Sequence, residues 1–331
     1  MLLGLRLTGV DPYVNLATER WLTDHLDQAV MLMLWQNEHT VVIGKNQNPL
    51  RECRLSELFQ DHGRLARRCS GGGAVYHDLG NLNFTIITPS DQFDVKRQSE
   101  VILQAVRPLG IEAKFSGRND LLARGRKFSG SAFYHGVHNS FHHGTLLWDT
   151  DSRKMMRYLQ PEMEKLRANG VDSVVSRVIN LRECCPQLTL RQLCEALEQA
   201  MEQVYGQPLQ PYSLSEDQRR QIEKLAEIYQ SKEWLFPPRF HADLSLQQRF
   251  EWGSITLQLA LSGDQIIRCG IDSDAMAIEP LQQLQQALSG CPLQEGQLQR
   301  RLAALPECEM IQDCRTMILQ QLQGRKDQVH E

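Results

Sequence analysis

The spacing of apolar residues predicts strands and helices along the whole chain. Apolar residues at helical spacing indicate amphipathic helices at about 15–26, 102–109 and 190–204. Runs rich in β-branched and aromatic residues predict strands, which are 30–35, 40–43, 74–77, 81–88 and 111–115. Residues 121–128 read as a hairpin that turns at Gly125. A further helix at 52–59 and an extended segment at 64–68 complete this part.

The pattern changes near residue 245. Residues 250–261 and 265–271 alternate like a hairpin, and two or three Gln-rich helices follow. The charge balance shifts at the same place, because residues 247–331 carry 7 basic and 11 acidic side chains while the rest of the chain carries 29 of each. We therefore predict two domains, 1–244 and 245–331.

Composition narrows the class of protein. The chain has 331 residues, 41% of them hydrophobic and 23% charged, which is typical of a folded globular protein and excludes disordered, collagen-like and coiled-coil chains. A net charge of −4 does not favour a nucleic-acid partner. The longest apolar run, Ala29–Trp35, is far shorter than the ~20 residues of a membrane span. Nine scattered cysteines without a C-x-x-C pair, and no secretion signal, predict a cytoplasmic protein with reduced thiols.

The first candidate segment for chemistry is R-R-C-S-G-G-G-A-V-Y-H-D at 67–78. Three consecutive glycines allow backbone N–H groups to approach an anion closely, and Arg67 and Arg68 add positive charge that suits a phosphate or a carboxylate. A flexible turn between two strands is the alternative interpretation. The glycine spacing is neither that of a P-loop nor that of a dinucleotide-binding fingerprint.

The second segment combines G-R-N-D at 117–120 with Lys127 and the small residues at 129–132. From Lys114 to Lys127 there are five basic side chains and one acidic side chain. A lysine among small residues can place its charge on an anionic transition state. The alternative is a hairpin with a solvated, charged face.

The third segment is F-H-H-G-T-L-L at 141–147. Adjacent residues of a strand point to opposite faces, so His142 and His143 cannot both bind one metal ion without distortion. We expect one histidine to line a pocket and the other to be a hydrogen-bonded core residue or a surface residue. The sequence contains no G-x-S-x-G motif, which argues against a serine hydrolase of that kind.

Taken together, these segments resemble the lipoate–protein ligases of the bacterial two-domain type, over nearly the whole chain. The resemblance is carried by R-R-x-S-G-G-G-A-V-x-H-D-x-G-N at 67–81, G-R-N-D at 117–120, K-x-S-G-S-A at 127–132 and H-H-G-T-L-L at 142–147. It implies an α+β fold, with a mixed β-sheet backed by helices in the large domain and a small α+β accessory domain after it.

The resemblance also implies a two-step reaction. Lipoate and Mg-ATP give lipoyl-AMP and pyrophosphate, and a lysine amine of an acceptor protein then takes the lipoyl group as an amide. The implied acceptors are lipoyl domains of 2-oxoacid dehydrogenase complexes and the glycine-cleavage H protein. We expect a monomer that binds neither nucleic acid nor membranes.

The resemblance also implies which residues form the site, because family motif positions can be matched to positions of this sequence. Lys127 matches the catalytic lysine, which contacts the acyl carbonyl and the phosphate. The positions implied to bind the adenylate are Arg68, Gly73, Ala74, Val75, Tyr76, Asn81, Asn119 and Asp120. Asp120 is also the candidate ligand for Mg²⁺ or the acceptor of the amine proton. The positions implied to contact the lipoyl group are Leu16, Trp35, Cys69, His77, Tyr134 and His143.

Two positions depart from the family pattern. Many bacterial members carry Ser where this chain has Cys69 and Arg where it has Tyr134, and the resemblance implies that both lie near the lipoyl carboxyl end. An octanoyl or lipoyl transferase that uses a Cys69 thioester therefore stays open as an alternative, as does a non-catalytic lipoyl or nucleotide sensor. The Lys127 motif and the extra C-terminal domain favour the ligase. The choice between lipoate and octanoate is left open.

Overall fold

The chain forms two compact units in a computed structural model that describes residues 1–116, 119–160, 178–236 and 240–329. Unit 1 comprises Met1–Ile43, Pro49–Cys69 and Ala74–Leu235. Unit 2 comprises Gly44–Asn48, Ser70–Gly73 and Phe236–Glu331. Unit 2 therefore includes two short loops from the N-terminal part of the chain. The predicted division into residues 1–244 and 245–331 places both loops in the first domain.

Helices are distributed over both units. Those of unit 1 are α1 (Pro12–His25), α2 (Pro49–Glu52), α3 (Leu55–Gln60), α4 (Val95–Val106), α5 (Ser152–Tyr158), α6 (Leu181–Cys184), α7 (Leu190–Tyr205), α8 (Glu216–Gln230) and α9 (Lys232–Leu235). Those of unit 2 are α10 (Glu279–Leu288), α11 (Glu295–Ala303) and α12 (Glu309–Val329). Among the described helices, none combines the length and the apolar character that crossing a membrane requires.

The described residues of unit 1 form two β-sheets. Its strands are β1 (Leu2–Arg6), β2 (Val30–Trp35), β3 (Thr40–Ile43), β4 (Arg64–Arg67), β5 (Val75–His77), β6 (Asn81–Pro89), β7 (Ala113–Ser116), β8 (Asp120–Ala123), β9 (Arg126–His135), β10 (Asn139–Leu147) and β11 (Leu209–Pro211). The large sheet has the order β11-β1-β2-β6-β10-β9-β8-β7, with β1 parallel to both neighbours and the other pairs antiparallel. A small sheet has the order β4-β3-β5. This mixed sheet, backed by helices, is the fold that the sequence predicts.

The two faces of the large sheet are covered by different helices. Side chains alternate between the faces along each strand. One face packs against α4 and α7 and buries residues such as Leu32, Phe84 and Phe128. The other face packs against α1 and α8, and we call it the site face; its buried members include Met31, Met33, Trp35, Ile87 and Phe141.

Local sequence signals explain where α1 and the β8–β9 hairpin begin and end. Asp11 accepts hydrogen bonds from the backbone N–H groups of Tyr13 and Val14, and Pro12 occupies the first turn, so α1 begins three residues before the predicted start at residue 15. The hairpin turns at Arg124 and Gly125, whose φ angles of 50° and 75° lie in the left-handed region. The predicted turn at Gly125 is thereby confirmed.

The C-terminal part of unit 2 is a three-stranded sheet covered by three helices. Its strands are β12 (Leu244–Phe250), β13 (Gly253–Ser262) and β14 (Gln265–Ser273), paired antiparallel in that order. The predicted hairpin corresponds to β13 and β14, whereas β12 was not predicted as a separate strand. The core of this part is formed by leucines and isoleucines of the sheet and of α10, α11 and α12.

Candidate functional site

Strand pairing arranges the site face in three rows that run across β2, β6, β10 and β9. The first row is Met31, Ile87, Phe141 and Tyr134, and the second is Met33, Thr85, His143 and Ala132. The third row is Trp35, Asn83 and Thr145, beside which Gly130 donates its N–H to the Thr145 hydroxyl at 3.3 Å. From the first row to the third, the side chains thus change from mainly apolar to mainly polar, which suits a molecule with one apolar end.

Helix α1 crosses these rows from the third to the first. Near the third row, the Asn15 amide donates to the Asn37 carbonyl at 3.0 Å. Beyond the first row, the Asn139 amide donates to the backbone carbonyl of Thr23 at 2.9 Å. Between these two anchors, Leu16, Glu19 and Arg20 share one helix face because they are separated by three and four residues.

A buried hydrogen-bonded chain joins α1 to the middle row. The Glu19 carboxylate is fully buried, accepts a hydrogen bond from the Thr85 hydroxyl at 2.7 Å, and lies 2.7 Å from His143 Nδ1. The indole of Trp35 donates to the same hydroxyl at 3.0 Å. The second carboxylate oxygen of Glu19 has no hydrogen-bond partner within the part of the chain that the structure describes. The network holds two predicted site residues, Trp35 and His143, in fixed orientations.

His77 presents a neutral ring next to this network. Burial lowers the pKa of His77 to about 3, and the positive charge of Arg68 adds to this effect. Its Nδ1 lies 3.1 Å from the Asn37 amide, which donates to it, so the proton of the neutral ring is on Nε2. Nε2 is buried and has no partner among the described residues. The ring packs edge-on against Trp35, with centroids 6.2 Å apart. The Nε2–H of His77 is therefore a hydrogen-bond donor beside Trp35 in the candidate site.

Lys127 lies at the polar end of the rows and is paired with Asp120. The ammonium is 2.7 Å from the Asp120 carboxylate, and both side chains are about one-third exposed, at 37% and 36%. Gly130 provides the room for this arrangement, because a Cβ atom there would lie 2.6 Å from the lysine Nζ. Asn119 donates to the Ser131 carbonyl at 2.8 Å and fixes the residue before Asp120. Gly117 and Arg118 of the G-R-N-D motif lie outside the described residues.

The triple glycine has two structural roles. Within unit 2, the Gly72 N–H donates to the Ala275 carbonyl at 3.0 Å, and a Cβ on Gly71 would overlap the backbone of Ala275 and Met276. These two glycines therefore serve close backbone packing. A Cβ on Gly73 would meet no atom within 4 Å, so a ligand has room to approach the backbone there.

Arg67 and Arg68 face different surroundings, as successive residues of an extended chain do. The Arg67 guanidinium donates to the backbone carbonyls of Trp234 and Leu235 at 2.9 and 2.8 Å, so it stabilises the fold near α9. Arg68 is 5% exposed and donates to the Val42 carbonyl at 3.3 Å. Burial lowers the pKa of Arg68 to about 10, which leaves it a cation at neutral pH.

Comparison with known proteins decides the family. A model of the lipoyl protein ligase A/B catalytic domain matches residues 11–202, and a model of the bacterial lipoate protein ligase C-terminus matches residues 239–322. The chain belongs to the lipoate–protein ligase family.

Solved structures of this family share the fold. P. falciparum LipL1 in complex with lipoate is 26% identical, with a TM-score of 0.86, and the match covers 97% of this chain and 100% of that one. A bi-partite lipoate protein ligase from Thermoplasma acidophilum, which forms a lipoylation system with its E2 lipoyl domain, is 25% identical at a TM-score of 0.65, and the match covers 73% of this chain and 98% of that one. A lipoate-protein ligase A bound with ATP is 24% identical at a TM-score of 0.63, covering 70% and 96%, and is similar in fold.

Cys69 of this lipoate–protein ligase family member is a buried thiol. Burial raises the pKa of Cys69 to about 12, with the Glu19 carboxylate adding to the effect. A thiol that stays protonated at neutral pH is a poor nucleophile. The environment of Cys69 therefore argues against the thioester alternative.

The remaining residues that were predicted to bind the adenylate differ in their surroundings. Tyr76 turns its ring away from His77 and packs on Tyr158, with centroids 5.5 Å apart, so only its backbone is suited to contact a nucleotide. Asn81 is buried and donates to the Asn83 carbonyl at 3.0 Å, which connects it to the third row. Ala74 and Val75 are half-buried and lead from Gly73 into β5.

Glu19 and Arg20 are site residues that the sequence analysis missed. Leu16 was identified, and helical periodicity places residues three and four positions later on the same face. That spacing was the signal that could have found both. His142, by contrast, packs between Phe84 and Phe133 on the opposite face of the sheet, at centroid distances of 5.2 and 4.9 Å. The expectation of a hydrogen-bonded second histidine was wrong, because neither ring nitrogen of His142 has a partner in the described chain.

Proposed function

We propose that this protein is an ATP-dependent lipoate–protein ligase. It would convert lipoate and ATP to lipoyl-AMP and pyrophosphate, and then transfer the lipoyl group to a lysine amine of an acceptor protein. The observation that carries the proposal is the Lys127 ammonium, held at the polar end of a site face that is otherwise mostly apolar. An acyl chain lying along the rows would present its carboxyl group at this end.

Electrostatics explain why the cations are needed. A carboxylate must approach a triphosphate although both are negatively charged, and Lys127 and Arg68 offset that repulsion. Lys127 would stabilise the negative charge that develops on the acyl and phosphate oxygens. His77, through its Nε2–H, would donate to the lipoyl group or hold it in place, while Leu16, Trp35 and His143 would exclude water from the mixed anhydride.

The adenylate would lie along the backbone from Gly73 to Tyr76, beside Arg68, with Asn81, Asn119 and Asp120 as its polar neighbours. Asp120 is paired with Lys127 and would become available to Mg²⁺ once Lys127 turns toward the phosphates. Mg²⁺ prefers carboxylate oxygen as a ligand, and the triphosphate would supply further oxygens. Among the described residues, no group of three or more His, Cys, Asp and Glu could hold a metal ion by itself. The ion would therefore arrive with the nucleotide and neutralise charge on its phosphates.

The proposed acceptors are lipoyl domains of 2-oxoacid dehydrogenase E2 subunits and the glycine-cleavage H protein. The T. acidophilum relative forms a lipoylation system with its E2 lipoyl domain, which supports this class of partner. We propose a cytoplasmic monomer with no nucleic-acid or membrane partner, in agreement with the composition of the chain.

Lipoate-dependent exchange of pyrophosphate into ATP tests the proposal. Lys127→Ala should lower the exchange rate by roughly 100-fold or more, since loss of one preorganised charge of this kind costs about 3 kcal/mol of transition-state stabilisation. Lys96→Ala, which removes an exposed lysine of α4, is the matched control and should retain wild-type exchange. Exchange at the wild-type rate in Lys127→Ala would refute the role of Lys127. Absence of exchange in the wild type, together with acyl transfer that Cys69→Ser abolishes, would instead support the thioester transferase.

A further inference from the structure

We propose that Arg20 and Tyr134 recognise the end of the acyl group that is farthest from the reacting carboxyl, and that their polar contact selects a sulfur-containing ring over an unbranched alkyl end. This inference rests on the proposed function, because it takes the reacting carboxyl to lie at Lys127. It names the residues that decide between lipoate and octanoate.

The position of Tyr134 follows from β9. Gly130, Ala132 and Tyr134 lie on the site face of the strand, and the Lys127 ammonium lies against Gly130. Four residues of extended strand separate Gly130 from Tyr134, which corresponds to about 13 Å. Tyr134 is therefore at the opposite end of the rows from the reacting group.

Helix α1 places Arg20 at the same end. Its first turn lies by the third row and its last turn by Asn139, so residues later in the helix lie nearer to the first row. The Arg20 guanidinium stacks over the Tyr134 ring, 4.7 Å from the ring centroid, and donates to the Tyr134 hydroxyl at 2.5 Å. The two side chains thus close the first row with a cation and a phenol.

The length of the acyl group matches this separation. An extended eight-carbon chain that carries a dithiolane ring spans about 10 Å, given C–C bonds of about 1.5 Å. With its carboxyl at Lys127, the ring would lie in the first row, among Phe141, Ile87 and Tyr134. The resemblance implied that Cys69 and Tyr134 lie near the carboxyl end, and the strand geometry assigns Tyr134 to the other end.

The chemistry of the first row suits sulfur. Tyr134 and the Cys69 thiol belong to the apolar cluster of the site face, and the Arg20 guanidinium is bonded to the Tyr134 hydroxyl at its edge. An alkyl end cannot add a polar interaction to those that Arg20 and Tyr134 already make with Asp24 and with each other. Sulfur atoms are polarizable, accept weak hydrogen bonds and make favourable contacts with aromatic rings. A site with such donors discriminates against an analogue that cannot pair with them.

The test compares two acids in the pyrophosphate exchange reaction. We expect Arg20→Met to lower the ratio of kcat/KM for lipoate to kcat/KM for octanoate by roughly ten-fold, mainly through KM for lipoate. The value for octanoate should stay the same or rise. Tyr134→Phe removes only the hydroxyl and should lower the ratio in the same direction by a smaller factor, which keeps the proposal testable if Arg20→Met does not fold.

Asp24→Asn is the matched control. Asp24 pairs with the Arg20 Nε at 2.7 Å and is 41% exposed, so its loss leaves the contact with Tyr134 in place and the ratio should not change. Equal losses with both acids, or an unchanged ratio in Arg20→Met and Tyr134→Phe, would overturn the inference. If the wild type supports no exchange, the proposed function fails, and calorimetric dissociation constants for lipoate and octanoate in the same variants decide the inference separately.

Discussion

Two adjacent histidines show how strand geometry separates a functional residue from a core residue. His143 faces α1 and contacts the Glu19 carboxylate at 2.7 Å, whereas His142 lies between aromatic rings on the other face of the sheet. Burial lowers the pKa of His142 to about 3, so this ring is neutral in the folded protein. The sequence predicted that the two rings point in opposite directions, but it did not show which of them meets a charged partner.

The buried neutral state of His142 makes the fold sensitive to acid. Below its ordinary pKa of 6.5, the unfolded state binds a proton that the folded state does not bind, so the free energy of unfolding falls as the pH decreases from 6.5 toward 3. At pH 5 this loss is about 2 kcal/mol for one histidine. His142→Phe should remove it, because a phenyl ring fits the same aromatic contacts.

Urea unfolding at pH 7 and pH 5 measures the effect. His77 has a similarly lowered pKa and remains in the variant, so some of the acid sensitivity should persist. The difference in unfolding free energy between the two pH values should be smaller in His142→Phe than in the wild type by about 2 kcal/mol. The same pH dependence in both proteins would contradict this account of His142.

At the scale of elements, the chain order of strands does not reveal which sheet they join. The sequence predicted strands at 30–35 and 40–43 with correct bounds, separated by a short polar turn. In the structure, β2 pairs with β1 and β6 in the large sheet, while β3 pairs with β4 and β5 in the small one. Periodicity reports which face of a strand is buried, whereas pairing depends on contacts between distant segments, which a single sequence does not contain.

Helix α1 carries three residues of the candidate site, so its first turn is a target for an element-level prediction. Asp11 caps this turn through bonds to the N–H groups of Tyr13 and Val14, and it also pairs with Arg64 at 2.8 Å on the surface. Asp11→Ala should lower the free energy of unfolding by about 1 kcal/mol, the usual cost of losing an N-cap. The measurement is chemical denaturation monitored by circular dichroism.

Asp11→Asn separates the two contributions of this residue. Asparagine still caps a helix but cannot form the ion pair, and exposed ion pairs contribute little, so the change should be within about 0.5 kcal/mol of wild type. A loss in Asp11→Asn as large as that in Asp11→Ala would show that the pair with Arg64, and not the cap, stabilises α1.

At the scale of the whole molecule, the candidate site draws on segments that are far apart in the sequence. Leu16, Trp35, His77 and His143 come from one helix and three strands. The pairing register places Trp35 and His143 in adjacent rows, and the His77 ring of the small sheet packs against Trp35. Motif resemblance identified these four residues, but only the packing of α1 on the sheet joins them to Glu19. The net charge of −4 belongs to residues 247–331, so it carries no information about the charge around the candidate site.

The two loops assigned to unit 2 lead to a prediction about chain integrity. Ser70–Gly73 and Gly44–Asn48 are bonded to the C-terminal part, through Gly72 N–H to the Ala275 carbonyl at 3.0 Å and Ser273 N–H to the Asn46 carbonyl at 2.9 Å. A fragment of residues 1–238 lacks these partners, so the backbone around Gly73 should lose its fixed conformation. We expect this fragment alone to show lipoate-dependent pyrophosphate exchange reduced by roughly ten-fold or more, because a misplaced binding group costs that much.

Adding residues 239–331 as a separate polypeptide should restore exchange. The two loops bind this segment through backbone hydrogen bonds, which form without a covalent link to residue 238. The measurement is the exchange rate of the large fragment as the small one is titrated, with circular dichroism of each fragment to verify that it is folded. Full exchange by a folded 1–238 fragment alone would show that the conformation of the Gly73 backbone does not depend on unit 2. Restored exchange on mixing would instead show that residues 239–331 fix the conformation of the loop at 70–73.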